Sequence, residues 1–212
     1  HLALCKSYPN IIYASSHTSG NITVYKSTNA GINFAQIETG QDFNGGQGWY
    51  DFYMHVNPFD TTTAYVGYID NWRTTNGGLN FTNITNGNGG GNVHVDKHNL
   101  DFHHVDVHQM ICVNDGALWK STNKGKNRTT LKNNITLTQF YRIASDPSNA
   151  NHILGGTEDN GTQRSTGTLN WSAAYGGDGG EVCFHAKNNL YILGETQNNG
   201  IFRSTDAGLS WS

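Results

Sequence analysis

The sequence repeats one short pattern five times: KSTNAGINF at 26–34, RTTNGGLNF at 73–81, KSTNKGKNR at 120–128, RSTGTLNW at 164–171 and RSTDAGLSW at 203–211. Each copy begins with a cation followed by two hydroxyl residues. The first hydroxyls of successive copies are 47, 47, 44 and 39 residues apart. A period of this length accommodates one small four-stranded sheet. The chain is therefore predicted to consist of five repeat units.

Three strand-like runs belong to each unit. An apolar run that ends in a basic residue or leads into one precedes each copy, and two further runs lie upstream. In the second unit these two runs are WYDFYMHV and TAYVGY, and the turn NPFD separates them. Short runs of this kind bounded by Gly, Pro, Asn and Asp indicate antiparallel strands. Each unit is predicted to contain three strands joined by turns, then the repeated turn and a fourth strand.

Composition favours an all-β protein and argues against several functions. The 212 residues include 26 glycines and only 3 prolines, and 14% are charged, which suits short strands joined by polar turns. The net charge is −3 and the basic residues are scattered, so no nucleic-acid partner is expected. No apolar run approaches the roughly 18 to 20 residues that cross a bilayer, so no membrane insertion is expected either. Cys112 and Cys183 lie in apolar strand patterns and are predicted to be buried.

The repeated segments resemble the Asp-box pattern Ser/Thr-x-Asp-x-Gly-x-x-Trp/Phe of BNR-repeat proteins, which include sialidases, sortilin-type receptors and xyloglucan-active endoglucanases. The resemblance implies a β-propeller of four-stranded antiparallel blades, with the motif between the third and fourth strands at the blade periphery. About five consecutive blades are expected, in a single propeller domain that is incomplete at both ends. The predicted blades are approximately 1–40, 47–86, 90–134, 138–174 and 178–212.

The chain departs from the Asp-box pattern at several positions. Only the last copy has aspartate at the third position, and asparagine, which can form the same type of turn, replaces it in the first three copies. The third copy ends in Arg128 instead of an aromatic residue, and the fourth is one residue shorter, so these two turns are expected to be looser. The structural residues of the motif are predicted to be Ser27, Asn29, Gly31, Thr74, Asn76, Gly78, Ser121, Asn123, Gly125, Ser165, Ser204, Asp206 and Gly208.

Polar residues that lead into the innermost strands are the functional candidates, because members of this family usually bind ligands at the channel face. His94, Asp96 and His98 alternate, which would place them on one side of a strand. Residues four apart in a strand are separated by ~13 Å, too far for His94 and His98 to bind one ion. A metal site would therefore use His94 and Asp96 with a donor from another blade. A hydrogen-bonded network at the channel mouth is the alternative, and no cofactor is required.

Further acids lie beside glycines, at Asp115, Asp159, Asp178 and Glu181. Asp115 and Asp159 fall between the second and third strands, where such residues also form type I′ turns. Asp178 and Glu181 lead into an innermost strand. The predicted ligand-binding set is His94, Asp96, His98, Asp115, Tyr141, Arg142, Asp159 and Asp178.

Aromatic residues are predicted to begin two of the innermost strands. Trp49 and Tyr50 would begin one of them, and Phe140 and Tyr141 the other. Such residues either stack on sugar rings or are buried between blades.

The segments at 94–98, 114–116, 138–142, 157–162 and 176–181 resemble those of large secreted Bacteroidetes-type surface proteins that carry Asp-box repeats. Ala117 and Glu158 are departures from that resemblance. It implies an extracellular or cell-surface location and a bacterial source.

Three functional interpretations follow. The favoured one is a non-catalytic interaction module that binds a glycan or a protein, with the remaining blades and further domains of the same polypeptide as its other partners. The second is a glycoside hydrolase, which needs two carboxylates about 5 to 5.5 Å apart for retention or roughly 6.5 to 9.5 Å apart for inversion. Its candidate catalytic residues are Asp96, Asp159, Asp178 and Glu181. A purely structural spacer is the third. A sialidase is disfavoured, because Arg142 is the only arginine predicted on an innermost strand.

Overall fold

The computed structural model describes residues 1–18, 21–37, 40–43, 46–87, 89–91, 93–131 and 138–212. These residues form short β-strands, and the only helix among them is the single 3-10 turn Gln197–Asn199. The described residues contain no helix that is both long and apolar enough to cross a membrane. The chain divides into two compact units, His1–Ile135 and Thr136–Ser212, which are called unit 1 and unit 2.

Unit 1 contains three four-stranded antiparallel sheets, each formed by strands that are consecutive in sequence. Sheet 1 consists of β1 (Leu2–Leu4), β2 (Ile12–Thr18), β3 (Asn21–Ser27) and β4 (Ala35–Gln36). Sheet 2 consists of β5 (Tyr53–Val56), β6 (Ala64–Gly67), β7 (Asn71–Thr74) and β8 (Thr82–Asn83). Sheet 3 consists of β9 (Lys97–Phe102), β10 (Met110–Asn114), β11 (Ala117–Ser121) and β12 (Thr129–Thr130).

Unit 2 contains two sheets of the same type. Sheet 4 consists of β13 (Phe140–Asp146), β14 (Asn149–Thr157), β15 (Gly161–Thr166) and β16 (Ser172–Tyr175). Sheet 5 consists of β17 (Gly179–Phe184), β18 (Ile192–Thr196) and β19 (Gly200–Ser204). The predicted order of strands is confirmed in four sheets, and sheet 5 has the first three of them.

The repeated turn sets the register between the third and fourth strands. Lys26 pairs with Ala35, Arg73 with Thr82 and Lys120 with Thr129, in each case nine residues later. In the shorter fourth copy, Arg164 pairs with Ser172, eight residues later. The turn is therefore one residue shorter in this copy, and the pairing between the third and fourth strands is kept. In the fifth copy, Arg203 and Ser212 exchange two backbone hydrogen bonds of 2.8 and 2.9 Å.

Side-chain hydrogen bonds explain why the repeated turn needs a hydroxyl at its first position. The Oγ of Ser27 donates to Oδ1 of Asn29 (2.9 Å) and accepts from the N–H groups of Asn29 (3.3 Å) and Gly31 (2.9 Å). Four copies share these three contacts, and their first hydroxyls are Ser27, Thr74, Ser121 and Ser204. Asparagine therefore makes the same turn as aspartate.

Two backbone positions complete the turn. The glycines of the motif have positive φ, with values of 88° at Gly31, 99° at Gly78, 79° at Gly125 and 80° at Gly208. The residue before each glycine also has a positive φ, and its N–H donates to the turn between the first two strands of the same sheet. The four donors are Ala30, Gly77, Lys124 and Ala207, with distances of 2.8 to 3.0 Å. Each repeated turn is thus attached to its own sheet at a second point.

The two irregular copies behave differently from one another. Ser165 of the fourth copy accepts from Gly167 (3.3 Å) and donates to the carbonyl oxygen of Thr168 (3.0 Å), so its turn departs from the common pattern, as expected. The third copy, which ends in Arg128, keeps the full set of hydrogen bonds. The prediction of a looser third turn is wrong, because the terminal aromatic position takes no part in those hydrogen bonds.

In three copies, the basic residue at the first position donates a hydrogen bond to the adjacent sheet of the same unit. Arg73 donates to the carbonyl oxygen of Lys124 (2.9 Å), which lies in the repeated turn of sheet 3. Arg164 donates to the carbonyl oxygen of Gly208 (3.2 Å), in the repeated turn of sheet 5. Lys26 donates to the carbonyl oxygen of Thr61 (3.3 Å), in the first turn of sheet 2. These contacts join neighbouring sheets through their turns.

Each unit has its own apolar core. In unit 1 the fully buried residues include Tyr13, Val24 and Val66, and in unit 2 the core is formed by Leu154, Val182 and Ile192. Cys112 is buried, as predicted, but Cys183 is exposed. The prediction for Cys183 is wrong, because side chains alternate along β17 and Val182 occupies the core side.

Asp146 links sheets 4 and 5 inside unit 2. Its Oδ1 accepts from the N–H and Oγ of Ser148 (both 2.8 Å), and its Oδ2 accepts from Asn189 Nδ2 (2.8 Å) and contacts His152 Nδ1 (3.3 Å). Burial opposes ionisation of this carboxyl, but the hydrogen bonds from Asn189, Ser148 and His152 outweigh it and hold the pKa of Asp146 well below its usual range. The ionised form is therefore the one that the fold stabilises.

We expect the stability of unit 2 to fall as the pH drops below about 4. A carboxyl group whose pKa is lowered by folding stabilises the folded state above its unfolded pKa, and this stabilisation is lost as the pH falls towards the folded pKa. Urea unfolding measured from pH 7 to pH 2 should show a shallower acid slope for Asp146→Asn than for the natural chain. The exposed Glu195→Gln is the control and should keep the natural slope. Equal slopes for all three proteins would contradict the prediction.

Candidate functional site

The first strands of neighbouring sheets contact each other, β1 with β5 and β5 with β9 in unit 1, and β13 with β17 in unit 2. Loops that lead into these strands therefore converge within each unit. In unit 1 the convergence involves the turn at 47–51 before β5, the segment at 93–96 before β9, and the turn between β10 and β11. These three segments carry a group of carboxylates and aromatic rings.

Asp115 is the centre of this group. Its Oδ1 lies 2.5 Å from Nε2 of His98, and its Oδ2 accepts a hydrogen bond from the hydroxyl of Tyr50 (2.9 Å). The Tyr50 ring meets the His98 ring edge-on, with their centroids 5.0 Å apart. The Asp115 side chain is only 8% exposed. Its carboxylate therefore orients an aromatic ring and an imidazole at the same time.

Asp96 lies beside Asp115 but not on the strand that the sequence predicted. Strand β9 begins at Lys97, and Asp96 has a left-handed φ of 60°. The prediction that His94, Asp96 and His98 share one side of a strand is therefore wrong. Asp96 is 8% exposed, and its Oδ1 accepts from Nε2 of Gln47 (2.6 Å). A carboxylate oxygen of Asp96 lies within 4.8 Å of one from Asp115.

His94 takes a different place from the other two members of the predicted trio. Its carbonyl oxygen accepts hydrogen bonds from Nδ2 of Asn114 (2.6 Å) and from Nζ of Lys97. Among the residues that the structure describes, no set of three close metal donors includes both His94 and Asp96. The predicted pairing of these two residues as metal ligands remains a prediction.

Asp51 is the member of the group that the sequence patterns did not indicate. Its side chain is completely buried, and neither carboxyl oxygen has a hydrogen-bond partner of good geometry in the described part of the chain. Burial raises the pKa of Asp51 to about 7, the neighbouring Asp96 carboxyl adds to the increase, and Gln47 opposes it. Burial also raises the pKa of Asp96, with a further contribution from Asp115. The sequence feature that could have indicated Asp51 is an acidic residue within the mainly apolar run WYDFYMHV.

Trp49 and Tyr50 form an exposed aromatic pair next to these acids. Trp49 is 82% exposed, and its ring centroid lies 5.7 Å from that of Tyr50. Both residues belong to a turn, because the N–H groups of Tyr50 and Asp51 donate to the carbonyl oxygen of Gln47 (2.7 and 3.2 Å). The prediction that they begin a strand is wrong, since β5 begins at Tyr53.

Unit 2 carries a second set of candidates at the beginning of β13. Phe140 and Tyr141 begin this strand, as predicted, and the Tyr141 hydroxyl donates to Glu158. Arg142 follows on the same strand, and its Nε lies 3.1 Å from Oε2 of Glu181 on β17. Both partners of this ion pair are more than half exposed. They form a polar surface that is open to solvent.

Asp178 and Asp159 are joined through hydrogen bonds that position turns of unit 2. The Oδ1 of Asp178 accepts from the N–H of Asp159 (2.8 Å), and its Oδ2 accepts from Nε2 of Gln197 (2.9 Å). The N–H of Asp178 donates back to Oε1 of Gln197 (3.1 Å). Asp159 itself has a φ of 55° in the turn between β14 and β15. The carboxylate of Asp178 thus connects the turns that precede and follow it.

Comparison with known proteins identifies the architecture. No family model and no curated protein matches this sequence. Among solved structures, the GH74 xyloglucanase from Xanthomonas campestris matches with a TM-score of 0.51 and 16% identity, over 100% of this chain and 37% of the enzyme. The chain has a β-propeller fold.

Two further β-propeller matches have lower TM-scores. An ancestral GH74 enzyme matches with a TM-score of 0.48 and 20% identity, over 100% of this chain and 30% of the enzyme. A chain of a nidogen–laminin complex matches with a TM-score of 0.47 and 10% identity, over 99% of this chain and 76% of that one. The chain spans about a third of the length of the two GH74 enzymes. At 16% identity, the similarity to the Xanthomonas campestris enzyme is one of fold alone, and sheets 1 to 5 are blades of that fold.

Proposed function

We propose that this chain is part of a secreted or cell-surface Asp-box β-propeller that binds a glycan through the loops of blades 2 and 3. The Asp-box assignment is supported by the four turns whose first hydroxyl makes the same three hydrogen bonds. The similarity of the loop segments to those of secreted Bacteroidetes-type surface proteins supports the location and a bacterial source. The remaining blades and further domains of the polypeptide would complete the protein.

The observation that carries the glycan proposal is the exposed Trp49 and Tyr50 pair beside a carboxylate. A sugar presents an apolar ring face that packs against an aromatic surface, and its hydroxyl groups need hydrogen-bond partners nearby. Trp49 provides the exposed ring, while His98 and Asp115 provide polar atoms next to it. The hydrogen bond from Tyr50 to Asp115 holds the aromatic and polar parts together.

We expect Trp49→Ala to weaken glycan binding at least about tenfold, because it removes the exposed stacking surface, a loss of roughly 1.4 kcal/mol. Binding would be measured against a panel of soluble polysaccharides, with affinities determined by titration calorimetry for those that bind. Phe59→Ala is a matched control, since Phe59 is also an exposed aromatic residue of unit 1 and lies in the turn between β5 and β6. Equal affinity of the natural chain and Trp49→Ala would contradict the proposal, and binding of a protein alone would redirect it to a protein ligand.

A glycoside hydrolase is the second candidate, and the specific observation in its favour is the pair of carboxylates at Asp96 and Asp115. Their oxygens lie within 4.8 Å of each other, near the spacing used by retaining enzymes. The raised pKa of Asp96 suits a general acid. Release of reducing ends from the same polysaccharides would be measured for the natural chain and for Asp96→Asn, Asp115→Asn, Asp159→Asn and Asp178→Asn. Release that one replacement abolishes would favour the hydrolase, and absence of release would favour binding.

A further inference from the structure

A cavity of about 580 Å³ lies among four turns of sheets 2 and 3, inside unit 1. These turns join the first strand to the second and the third strand to the fourth in each of the two sheets. Because antiparallel strands reverse direction at every turn, this end of the sheets is opposite to the loops that lead into β5 and β9. The cavity is therefore separate from the surface that carries Trp49 and Tyr50.

Positive side chains dominate the lining of this cavity. Arg73, Lys124 and Lys126 line it, and Asp60 is the one acidic residue among the described residues that do so. The Asp60 carboxylate accepts three hydrogen bonds of 2.6 to 2.9 Å from its own turn. None of the three cations forms an ion pair in the part of the chain that the structure describes. The cavity therefore has an excess of positive charge.

Arg73 is held at the cavity by the backbone of sheet 3. Its Nη1 donates to the carbonyl oxygen of Lys124 (2.9 Å), which also accepts from the hydroxyl of Tyr65 (3.2 Å). The N–H of Lys124 donates in turn to the carbonyl oxygen of His108 (2.9 Å). A guanidinium has five N–H donors in one plane, so Arg73 can bind a further acceptor while it keeps this contact.

A second guanidinium adds to the positive charge at this junction of sheets 2 and 3. The Nε and Nη2 atoms of Arg128 are buried and have no hydrogen-bond partner among the described residues. Burial lowers the pKa of Arg128, and the nearby positive charge of Arg73 lowers it further. Buried charges in folded proteins are normally paired. The absence of an acidic partner within the described ranges leaves a positive potential that favours an anion.

The two lysines of the cavity depart from the repeated motif. In the other three full-length copies, the position of Lys124 holds a small residue and that of Lys126 holds an exposed aliphatic one, namely Ala30, Gly77 and Ala207 for the first and Ile32, Leu79 and Leu209 for the second. All four turns make the same hydrogen bonds from their first hydroxyl. The turn therefore requires neither lysine for its stability.

We propose that this cavity binds a tetrahedral oxyanion, sulfate or phosphate, present either as the free ion or as an ester group of a larger ligand. Arg73 can donate to two oxygens of such a group at once, and Lys124 and Lys126 supply point charges beside it. The excess of positive charge over the single carboxylate of Asp60 suits an anion that carries more than one negative charge. His108 already contacts Asp106 (3.0 Å) and is not assigned a role in binding.

The test is titration of the chain with Na₂SO₄ and with sodium phosphate at an ionic strength held constant with NaCl, followed through the backbone amide resonances of the turn between β11 and β12. The shifts are expected to saturate in the millimolar range. Lys124→Ala combined with Lys126→Leu installs the residues of the fifth copy, so the turn should fold, and binding should weaken at least about tenfold. Lys6→Ala combined with Lys187→Leu removes the same charge at exposed positions outside the cavity and should retain the affinity.

A sulfated or phosphorylated oligosaccharide and its unmodified counterpart separate the two sources of the anion. Tighter binding of the modified sugar than of the free ion, lost in the Lys124 and Lys126 double variant, would support an ester group as the ligand, and equal affinity would support the free ion. The absence of saturating shifts with both ions, or an equal loss of affinity in the two double variants, would overturn the proposal. Trp49→Ala should leave the sulfate titration unchanged, so failure of the glycan-binding proposal and failure of this one are distinguishable.

Discussion

Gly156→Ala is expected to destabilise unit 2 by about 3 kcal/mol or more, near the upper end for an overpacked core position. A Cβ at this position would lie 2.0 Å from the carbonyl oxygen of Gly180 and 2.6 Å from the carbonyl carbon of Gly179. Both atoms belong to the backbone of β17, so no change of rotamer can relieve the overlap. Blades 4 and 5 approach each other backbone to backbone at this point, and only glycine permits that distance.

Gly176→Ala is the matched control for this prediction. No atom lies within 4 Å of the Cβ that it would add, and Gly176 does not have a positive φ. Its effect should stay within about 0.5 kcal/mol. Hydrogen exchange measured peptide by peptide would show loss of protection in β14 and β17 for Gly156→Ala and natural protection for Gly176→Ala. Similar protection in both variants would show that β14 and β17 are not packed closely enough at Gly156 to exclude a methyl group.

Thr74→Val is expected to cost about 2 kcal/mol, because it removes a buried hydroxyl without changing the shape of the side chain. Thr74 is 1% exposed. Its Oγ1 donates to Oδ1 of Asn76 (2.9 Å) and accepts from the N–H groups of Gly78 (3.0 Å) and Asn76 (3.3 Å). Valine would leave the buried N–H of Gly78 without this partner, and an unsatisfied buried donor is the costly part of the change.

The neighbouring residue provides the control for this second prediction. Thr75→Val makes the same chemical change one position later, at a side chain that is exposed. Its effect on the free energy of unfolding should be within about 0.5 kcal/mol. Urea unfolding followed by tryptophan fluorescence would compare the two variants with the natural chain. Equal midpoints for Thr74→Val and Thr75→Val would mean that the hydroxyl hydrogen bonds do not stabilise the turn.

Local patterns in the sequence are sufficient to predict the blades. The repeated turn is stabilised by contacts between residues two and four positions apart, such as those from Ser27 to Asn29 and Gly31. Its register, the positive φ of its glycines and its position between the third and fourth strands all follow from the same few residues. The exception is the third copy, where Arg128 replaces the aromatic residue and leaves the hydrogen bonds of the turn unchanged.

The candidate site is predictable only in part. Alternation and neighbouring glycines indicate Asp96, His98 and Asp115, but they place the first two on one extended strand, which the left-handed φ of Asp96 interrupts. Asp51 is not indicated, because nothing along the chain shows that the residue lies beside Asp96. In unit 2, Asp178 is a candidate catalytic acid by sequence, and the structure places hydrogen bonds from Asp159 and Gln197 on its two oxygens.

The repeated turns, the order of strands within a blade and the all-β class follow from the sequence, because they depend on interactions between residues that are near one another along the chain. Tertiary contacts decide which acids meet. Tyr50 reaches Asp115 across 65 residues and Gln47 reaches Asp96 across 49. Burial of Asp51 likewise depends on segments that are distant in sequence, and this burial is what opposes ionisation of its carboxyl group. Strand periodicity predicts which side of a strand a residue faces. The electrostatics of the site depend instead on loops that are distant in sequence and converge in the fold.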